Sequence, residues 1–143
     1  MSSSLRTLAL MFLLAGLVGA GTGRAMATTA TGTQNAQLSV TVSLSSDGEN
    51  PDRATVGDEV TASFSVINNR NVVKTVRITG TVISPSGQTL RATERWTLGP
   101  RETDTFTYAY PVEPSFEKGI YRFRVAATNP AGTSRATARI EIF

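Results

Sequence analysis

The sequence predicts an all-β fold, a seven-stranded antiparallel β-sandwich, from three observations. Seven short segments alternate apolar and polar residues with a period of two, the pattern of a strand with one buried face. Clusters of turn-forming residues separate these segments. Beyond residue 27 no segment has a helical period, so the chain lacks the crossover helices that parallel strands require.

The first two strands are predicted from simple alternation. Residues 38–44 alternate leucine and valine with serine and threonine. The Asp, Gly, Asn and Pro residues within 47–52 favour turns and end this strand. Residues 60–66 repeat the alternation, and the asparagines at 68–69 end it because asparagine tolerates a left-handed backbone.

The third and fourth strands are predicted over residues 75–82 and 89–96. Between them, residues 84–87 carry Pro at the second and Gly at the fourth place, which suits a type I turn. Glu94 shares the inward parity of Trp96. A carboxylate on the inner side is typical of an edge strand, so we expect the fourth strand at a sheet edge.

The fifth and sixth strands, residues 104–110 and 121–127, carry most of the aromatic residues. We expect their inner faces to form the centre of the core, with these inward side chains: Asp104, Phe106, Tyr108, Tyr110, Tyr121, Phe123, Val125 and Ala127. Residues 129–133 form a hairpin loop, and the alternation over 136–142 predicts the seventh strand.

Residues 1–27 are predicted to be a cleavable signal peptide. Arg6 precedes an uncharged apolar run over residues 8–20, and the small residues of 25–27 suit cleavage after Ala27, with a cut after Ala20 as the alternative. The apolar run of 13 residues is shorter than the roughly 20 that cross a bilayer, so no stable membrane span is expected after cleavage. This predicts a secreted or periplasmic protein, with a flexible leader over 28–36 and the sandwich domain over 37–143.

The composition argues against catalysis. The chain contains no histidine and no cysteine, which removes the usual triads, thiol nucleophiles and histidine-based metal sites. We therefore expect a protein that is not an enzyme and uses no cofactor. The formal net charge of +3 includes Arg6 and Arg24, so the chain after cleavage carries 12 − 11 = +1. That value is too close to neutral to argue for nucleic acid.

An acidic stretch gathers oxygen ligands in a loop between strands. Asp47, Glu49, Asn50 and Asp52 are followed by Asp58 and Glu59, and calcium prefers such ligands. The stretch lacks EF-hand spacing, so we interpret it as a solvated turn and expect no metal site.

Two sets of motifs resemble known domains. Residues 119–133 resemble the penultimate strand and final hairpin of fibronectin type III and related immunoglobulin-like domains. Similarity to bacterial cell-adhesion-related (CARDB-like) repeats is carried by Val56-Gly57-Asp58-Glu59-Val60, Asn68-Asn69 and Leu98-Gly99-Pro100-Arg101-Glu102-Thr103. In those repeats Leu-x-Pro-Gly-Glu-Thr opens the fifth strand, and Arg101 stands here where that glycine is usual. The resemblance implies an immunoglobulin-like sandwich with fibronectin type III-like topology, with Tyr121 as the corner tyrosine that caps the preceding loop.

In that topology the third, fourth, sixth and seventh strands share a sheet. Seven arginines would then point outward on one face: Arg77, Arg91, Arg95, Arg122, Arg124, Arg135 and Arg139. Their guanidinium groups suit an anionic partner such as an acidic polysaccharide. The alternative interpretation is a plain solvated sheet face, whose charge Glu94 and Glu141 partly offset.

These observations predict a secreted, non-enzymatic immunoglobulin-like module that contacts a protein or a polysaccharide at a bacterial cell surface or in the periplasm. The loops at residues 68–71 and 129–133 are a second candidate surface. One alternative is a structural subunit of an extracellular assembly, joined through edge strands or by donation of the first strand. Another is a secreted protease inhibitor, which would need an exposed loop that enters an active site.

Overall fold

The structure is a computed structural model that describes residues 28–30 and 35–143. These residues form nine strands and no helix: β1 (Thr28–Ala30), β2 (Leu38–Ser46), β3 (Arg53–Ala54), β4 (Glu59–Asn68), β5 (Lys74–Ile83), β6 (Thr89–Leu98), β7 (Thr103–Pro111), β8 (Gly119–Asn129) and β9 (Gly132–Ile142). The seven long strands are the seven that the sequence predicts. The predicted signal peptide lies outside the described residues.

The strands form two sheets. The first has the order β1-β2-β4-β7 and the second the order β3-β9-β8-β5-β6. Every pairing is antiparallel except the two-residue pairing of β3 with β9. The long strands divide three and four between the sheets, as in fibronectin type III domains. The predicted fold class is therefore confirmed, and β6 lies at a sheet edge as expected.

Two short strands add to the predicted seven. Thr28–Ala30 pairs with β2, although the sequence predicts a flexible leader there. The pairing joins the two main chains, so it does not depend on the alternation of apolar and polar residues by which a strand is predicted. Hydrogen bonds also attach the residues before β2 to β9. Asn35 N donates to Ser134 Oγ over 2.8 Å, and that hydroxyl donates to Leu38 O over 2.8 Å.

The core lies between the sheets and is centred on Phe64. This ring stacks on Trp96 at 5.7 Å and on Phe106 at 5.6 Å, and meets the edge of Phe123 at 6.0 Å. Aromatic pairs at such centroid distances add stability beyond the area they bury. Phe106 and Phe123 come from the fifth and sixth predicted strands, where the core centre is expected. Phe64 and Trp96 come from the second and fourth, so the centre is shared by four strands and not by two.

Polar loops connect the strands at both ends of the sandwich. At one end lie residues 69–73, 99–102 and 130–131, and at the other residues 47–58, 84–88 and 112–118. No helix of the described part of the chain is long and apolar enough to cross a membrane.

Candidate functional site

The candidate site is the outer face of the second sheet, which we call the arginine face. There β9, β8, β5 and β6 lie side by side, and their register aligns the outward residues in four rows of four. In strand order these are Thr133, Thr128, Arg77 and Arg95 in the first row; Arg135, Ala126, Thr79 and Thr93 in the second; Thr137, Arg124, Thr81 and Arg91 in the third; and Arg139, Arg122, Ile83 and Thr89 in the fourth.

The structure places all seven arginines of the sequence prediction on this face, and all seven are exposed. Every row holds one or two of them. Threonine fills most other positions, and the hydroxyls of neighbouring threonines are paired, Thr79 with Thr93 at 3.1 Å and Thr128 with Thr133 at 3.0 Å. The surface is a regular array of cations set among small hydroxyl side chains.

Like charges stand directly opposite each other at two places in this array. Arg77 pairs with Arg95 in the first row, and Arg122 with Arg139 in the fourth. Opposite residues of an antiparallel pair have Cβ atoms about 5 Å apart, and like charges so placed lower stability. The arrangement therefore has a cost that threonine at the same positions would avoid.

No carboxylate stands at any of the sixteen positions of the four rows. The sequence interpretation that Glu94 offsets the arginines is wrong, because Glu94 pairs with the buried Ile78 and thus lies on the inner side of the sheet. Glu141 lies beyond the fourth row, where its Oε1 accepts a hydrogen bond from Arg53 Nε at 2.9 Å. The positive charge of the face is therefore not offset within the array.

The outer face of the first sheet carries one charged residue, Glu59, where β4 begins. Ten of its fourteen positions on β2, β4 and β7 carry serine or threonine, and the remaining three are Ile67, Ala109 and Pro111. Cross-strand hydroxyl pairs occur here as well, with Ser65 and Thr105 at 2.8 Å. None of these positions carries arginine, so the seven arginines lie on one side of the sandwich.

The loops proposed as a second surface are partly buried. Asn68 is fully buried, and its Nδ2 donates to Val72 O and Gly99 O, each over 2.8 Å. Asn129 is 8% exposed and donates to Gln37 Oε1 over 2.9 Å. Asn68 and Asn129 therefore hold neighbouring segments together and offer no contact surface. Arg70, Asn71, Pro130 and Ala131 are exposed, so a contact surface on these loops stays a prediction.

Arg101 has a left-handed backbone, with φ 59°. It occupies the third place of the turn from Gly99 to Glu102, in which Glu102 N donates to Gly99 O over 3.1 Å. Arg101 N donates to Arg70 O over 2.9 Å, which joins two loops at one end of the sandwich. A positive φ at this place is where a turn normally uses glycine. The one departure from the CARDB-like motif therefore falls on a conformationally demanding position.

Tyr121 behaves as the corner tyrosine that the resemblance implies. Burial raises the pKa of its hydroxyl, and a hydrogen bond that the phenol oxygen accepts from the main-chain N–H of Glu117, four residues upstream, partly opposes that shift. Burial also raises the pKa of Tyr110, with a smaller contribution from Tyr121. The rings of Tyr110, Phe116 and Tyr121 follow one another at 6.1 and 6.3 Å, so they close this end of the core.

The acidic stretch uses its oxygens within the turn. Asp47 Oδ1 accepts from Glu59 N at 2.6 Å, and Asp58 Oδ2 accepts from Thr55 N at 2.9 Å. Asn50 Oδ1 accepts from Asp52 N at 2.9 Å. Within residues 28–30 and 35–143, no group of three or more His, Cys, Asp or Glu side chains could hold a metal ion.

Two features of the surface were not predicted. The guanidinium of Arg53 lies 4.1 Å from the centre of the Phe143 ring, besides its contact with Glu141. The parallel pairing of β3 with β9 brings these residues together, and a two-residue strand leaves no periodic signal in a sequence. The left-handed backbone of Arg101 could have been predicted from the sequence, because arginine stands there in place of the glycine of the motif.

No protein-family model matches the chain, and no curated protein matches it in sequence. Solved structures do resemble it. The alkylpurine DNA glycosylase AlkC of Pseudomonas fluorescens is 12% identical, with a TM-score of 0.52 over 75% of this chain and 30% of that chain. A β-glucuronidase of Bacteroides uniformis is 17% identical, with a TM-score of 0.50 over 70% of this chain and 13% of that chain.

A CARDB domain of Pyrococcus furiosus, in complex with di-metal ions, is 15% identical, with a TM-score of 0.49 over 78% of this chain and 94% of that chain. The chain spans less than a third of the glycosylase and of the glucuronidase. At such identities the likeness is one of fold. The strand order of the two sheets is that of the immunoglobulin-like sandwich that the sequence motifs predict.

Proposed function

We propose that this protein is an exported, non-enzymatic module that binds an acidic polysaccharide through the arginine face. One observation carries the proposal: seven exposed arginines occupy four successive rows of one sheet face, and no carboxylate occupies any of the sixteen positions. A face kept only for solubility would be expected to intersperse both signs of charge.

The chemistry of the face suits carboxylate groups. Each guanidinium offers donors in a planar fork that can bind a carboxylate through two parallel hydrogen bonds. Threonine hydroxyls between the arginines can donate to or accept from sugar hydroxyls. Residues 28–143 carry a net charge of 12 − 11 = +1, which favours a local contact with a polysaccharide over the extended basic footprint of a nucleic-acid-binding protein.

The proposed protein is exported and has a binding role without catalysis. The charge, apolar run and small residues of 1–27 support a signal peptide, which would place the module outside the cytoplasm where acidic polysaccharides occur. The lack of histidine and cysteine supports a binding role, because the commonest general bases and nucleophiles are absent from the sequence.

Retention on immobilised heparin and on immobilised polyuronate tests the proposal. The double variant Arg122→Ser with Arg124→Ser should elute at clearly lower salt than the unmodified protein. A matched double variant, Arg70→Ser with Arg101→Ser, makes the same change in net charge in the loops and should elute with the unmodified protein. Equal elution of all three proteins would contradict a role for the arginine face.

A further inference from the structure

We infer that the partner is a linear polymer with repeated carboxylates, and that it lies along the strand direction across all four rows of the arginine face. This inference rests on the proposed function and adds the form and orientation of the ligand. It follows from how the arginines are distributed, which only the strand register reveals.

The four rows are evenly spaced along the strands. Successive outward residues of a strand are about 7 Å apart, so four rows extend over about 20 Å. The rows contain two, one, two and two arginines in order. A chain that follows the strands therefore meets a guanidinium at every step of about 7 Å, within the reach of a long side chain.

A polymer that lay across the strands would contact fewer arginines than one that followed them. The second row holds a single arginine, Arg135, at the β9 edge, and in the third row Thr81 separates Arg124 from Arg91. A polymer that crossed the sheet along one row could contact at most two of the arginines, whereas one along the strands has access to arginines in all four rows.

The arginines do not converge on one point. They are all exposed and spread over four strands, so a single small anion could contact only the one or two that lie nearest. Isolated contacts between exposed charges are weak. Useful affinity then requires several contacts on one ligand, since each further contact of a tethered group benefits from a high effective concentration.

The remaining side chains of the face favour charge over stacking. Its nine other positions are seven threonines, Ala126 and Ile83, with no aromatic ring among them. A face that bound neutral sugars by their apolar sides would need such a ring. Recognition on this surface therefore depends on the charge of the polymer.

Titration calorimetry with oligouronides of one to twelve units, at low salt, tests the inference. The affinity should rise with each added unit until the oligomer spans the four rows and should then level off. The double variant Arg122→Ser with Arg139→Ser removes the fourth row. It should weaken binding of the longest oligomers about tenfold or more and change binding of the shortest by less than twofold.

The matched control is again Arg70→Ser with Arg101→Ser, which should leave the length dependence unchanged. A monomeric uronate that binds as tightly as the polymer would overturn the inference but not the proposed function. Equal weakening of short and long oligomers by the fourth-row variant would also overturn it. Single-stranded DNA that binds as tightly as an oligouronide of equal charge would overturn the assignment of carboxylates, whereas loss of all arginine-dependent binding would remove the proposed function itself.

Discussion

Arg101 shows how a single residue can carry conformational cost at a turn. Its φ of 59° lies in the left-handed region, which disfavours any residue with a Cβ atom. The backbone is held there from two sides, because Glu102 N donates to Gly99 O and Arg101 N donates to Arg70 O. The surrounding hydrogen bonds therefore hold the backbone of Arg101 in the left-handed conformation, which an arginine would not otherwise favour.

Arg101→Gly should stabilise the protein by up to about 1.5 kcal/mol. Relief of the left-handed strain is worth about 1–2 kcal/mol, and the greater freedom of glycine in the unfolded chain takes back about 0.4–1 kcal/mol. The free energy of unfolding in urea measures the effect. Arg101→Ala is the control, since alanine keeps the Cβ atom and should give no such gain. A stabilisation by alanine equal to that by glycine would show that the backbone is not strained.

On the strands of the arginine face, repulsion between neighbouring arginines lowers the stability of the sheet. Arg122 on β8 stands opposite Arg139 on β9, and Arg124 lies one row away on the same strand. Threonine suits a half-exposed strand and would remove this repulsion. A surface that keeps arginine at such positions is typical of binding sites, where activity and stability are in conflict.

Arg122→Thr should therefore raise the free energy of unfolding by about 0.2–1 kcal/mol and lower retention on polyuronate. The gain should shrink as salt is added, because salt screens exposed charges over about 10 Å at 0.1 M. Arg53→Thr is the control, since Arg53 contacts Glu141 and Phe143 and its loss should not stabilise. A destabilised Arg122→Thr variant would mean that its stem contributes more by packing than its charge costs.

The strands also bear on the assembly alternative. The first predicted strand, β2, pairs with β4 over nine residues within the same chain, and β1 pairs with its other edge. Donation of this strand to a neighbour would have to break both pairings. The described structure thus supports a self-contained sandwich, in line with a module that acts as a binding unit.

Positive and negative charges lie on different parts of the molecule. The arginine face carries seven positive charges, while the loops at residues 47–59 and 112–118 carry seven carboxylates and two cations, a formal −7 + 2 = −5. The net charge is therefore small because the positive arginine face and the negative loops largely cancel, although they lie on different parts of the molecule. The acidic loops adjoin the fourth row, so a bound polyanion would be repelled beyond it.

The stability of the whole sandwich depends on one core, because the chain has no cysteine and hence no disulfide. Phe64→Ala removes the ring that contacts Trp96, Phe106 and Phe123, and should cost about 3–5 kcal/mol. That is a large part of the roughly 5–15 kcal/mol typical of a domain. Thermal and urea unfolding measure the loss.

Phe143→Ala provides the comparison on the surface. Its ring is 46% exposed and contacts Arg53, so its loss should cost far less than that of Phe64, about 1 kcal/mol or below. Similar losses for the two variants would contradict the placement of Phe64 at the centre of the core.

The amino-acid sequence alone was enough to predict the seven long strands, their inner faces and the edge position of β6. These depend on local alternation, because a period of two decides which side chains a half-buried strand presents to the core. It also identified all seven arginines of the candidate face, through strand parity and the motifs of residues 119–133. The position of Tyr121 came from the same motifs.

The way in which these strands and loops combine became visible in the folded structure. The four rows, the opposed arginine pairs and the absence of carboxylates among them depend on cross-strand register, which joins residues as far apart as Arg77 and Thr128. The burial of Asn68 and the left-handed backbone of Arg101 depend on loops that meet at one end of the sandwich. Such features are set by contacts between distant segments, and alternation along a single strand carries no information about them.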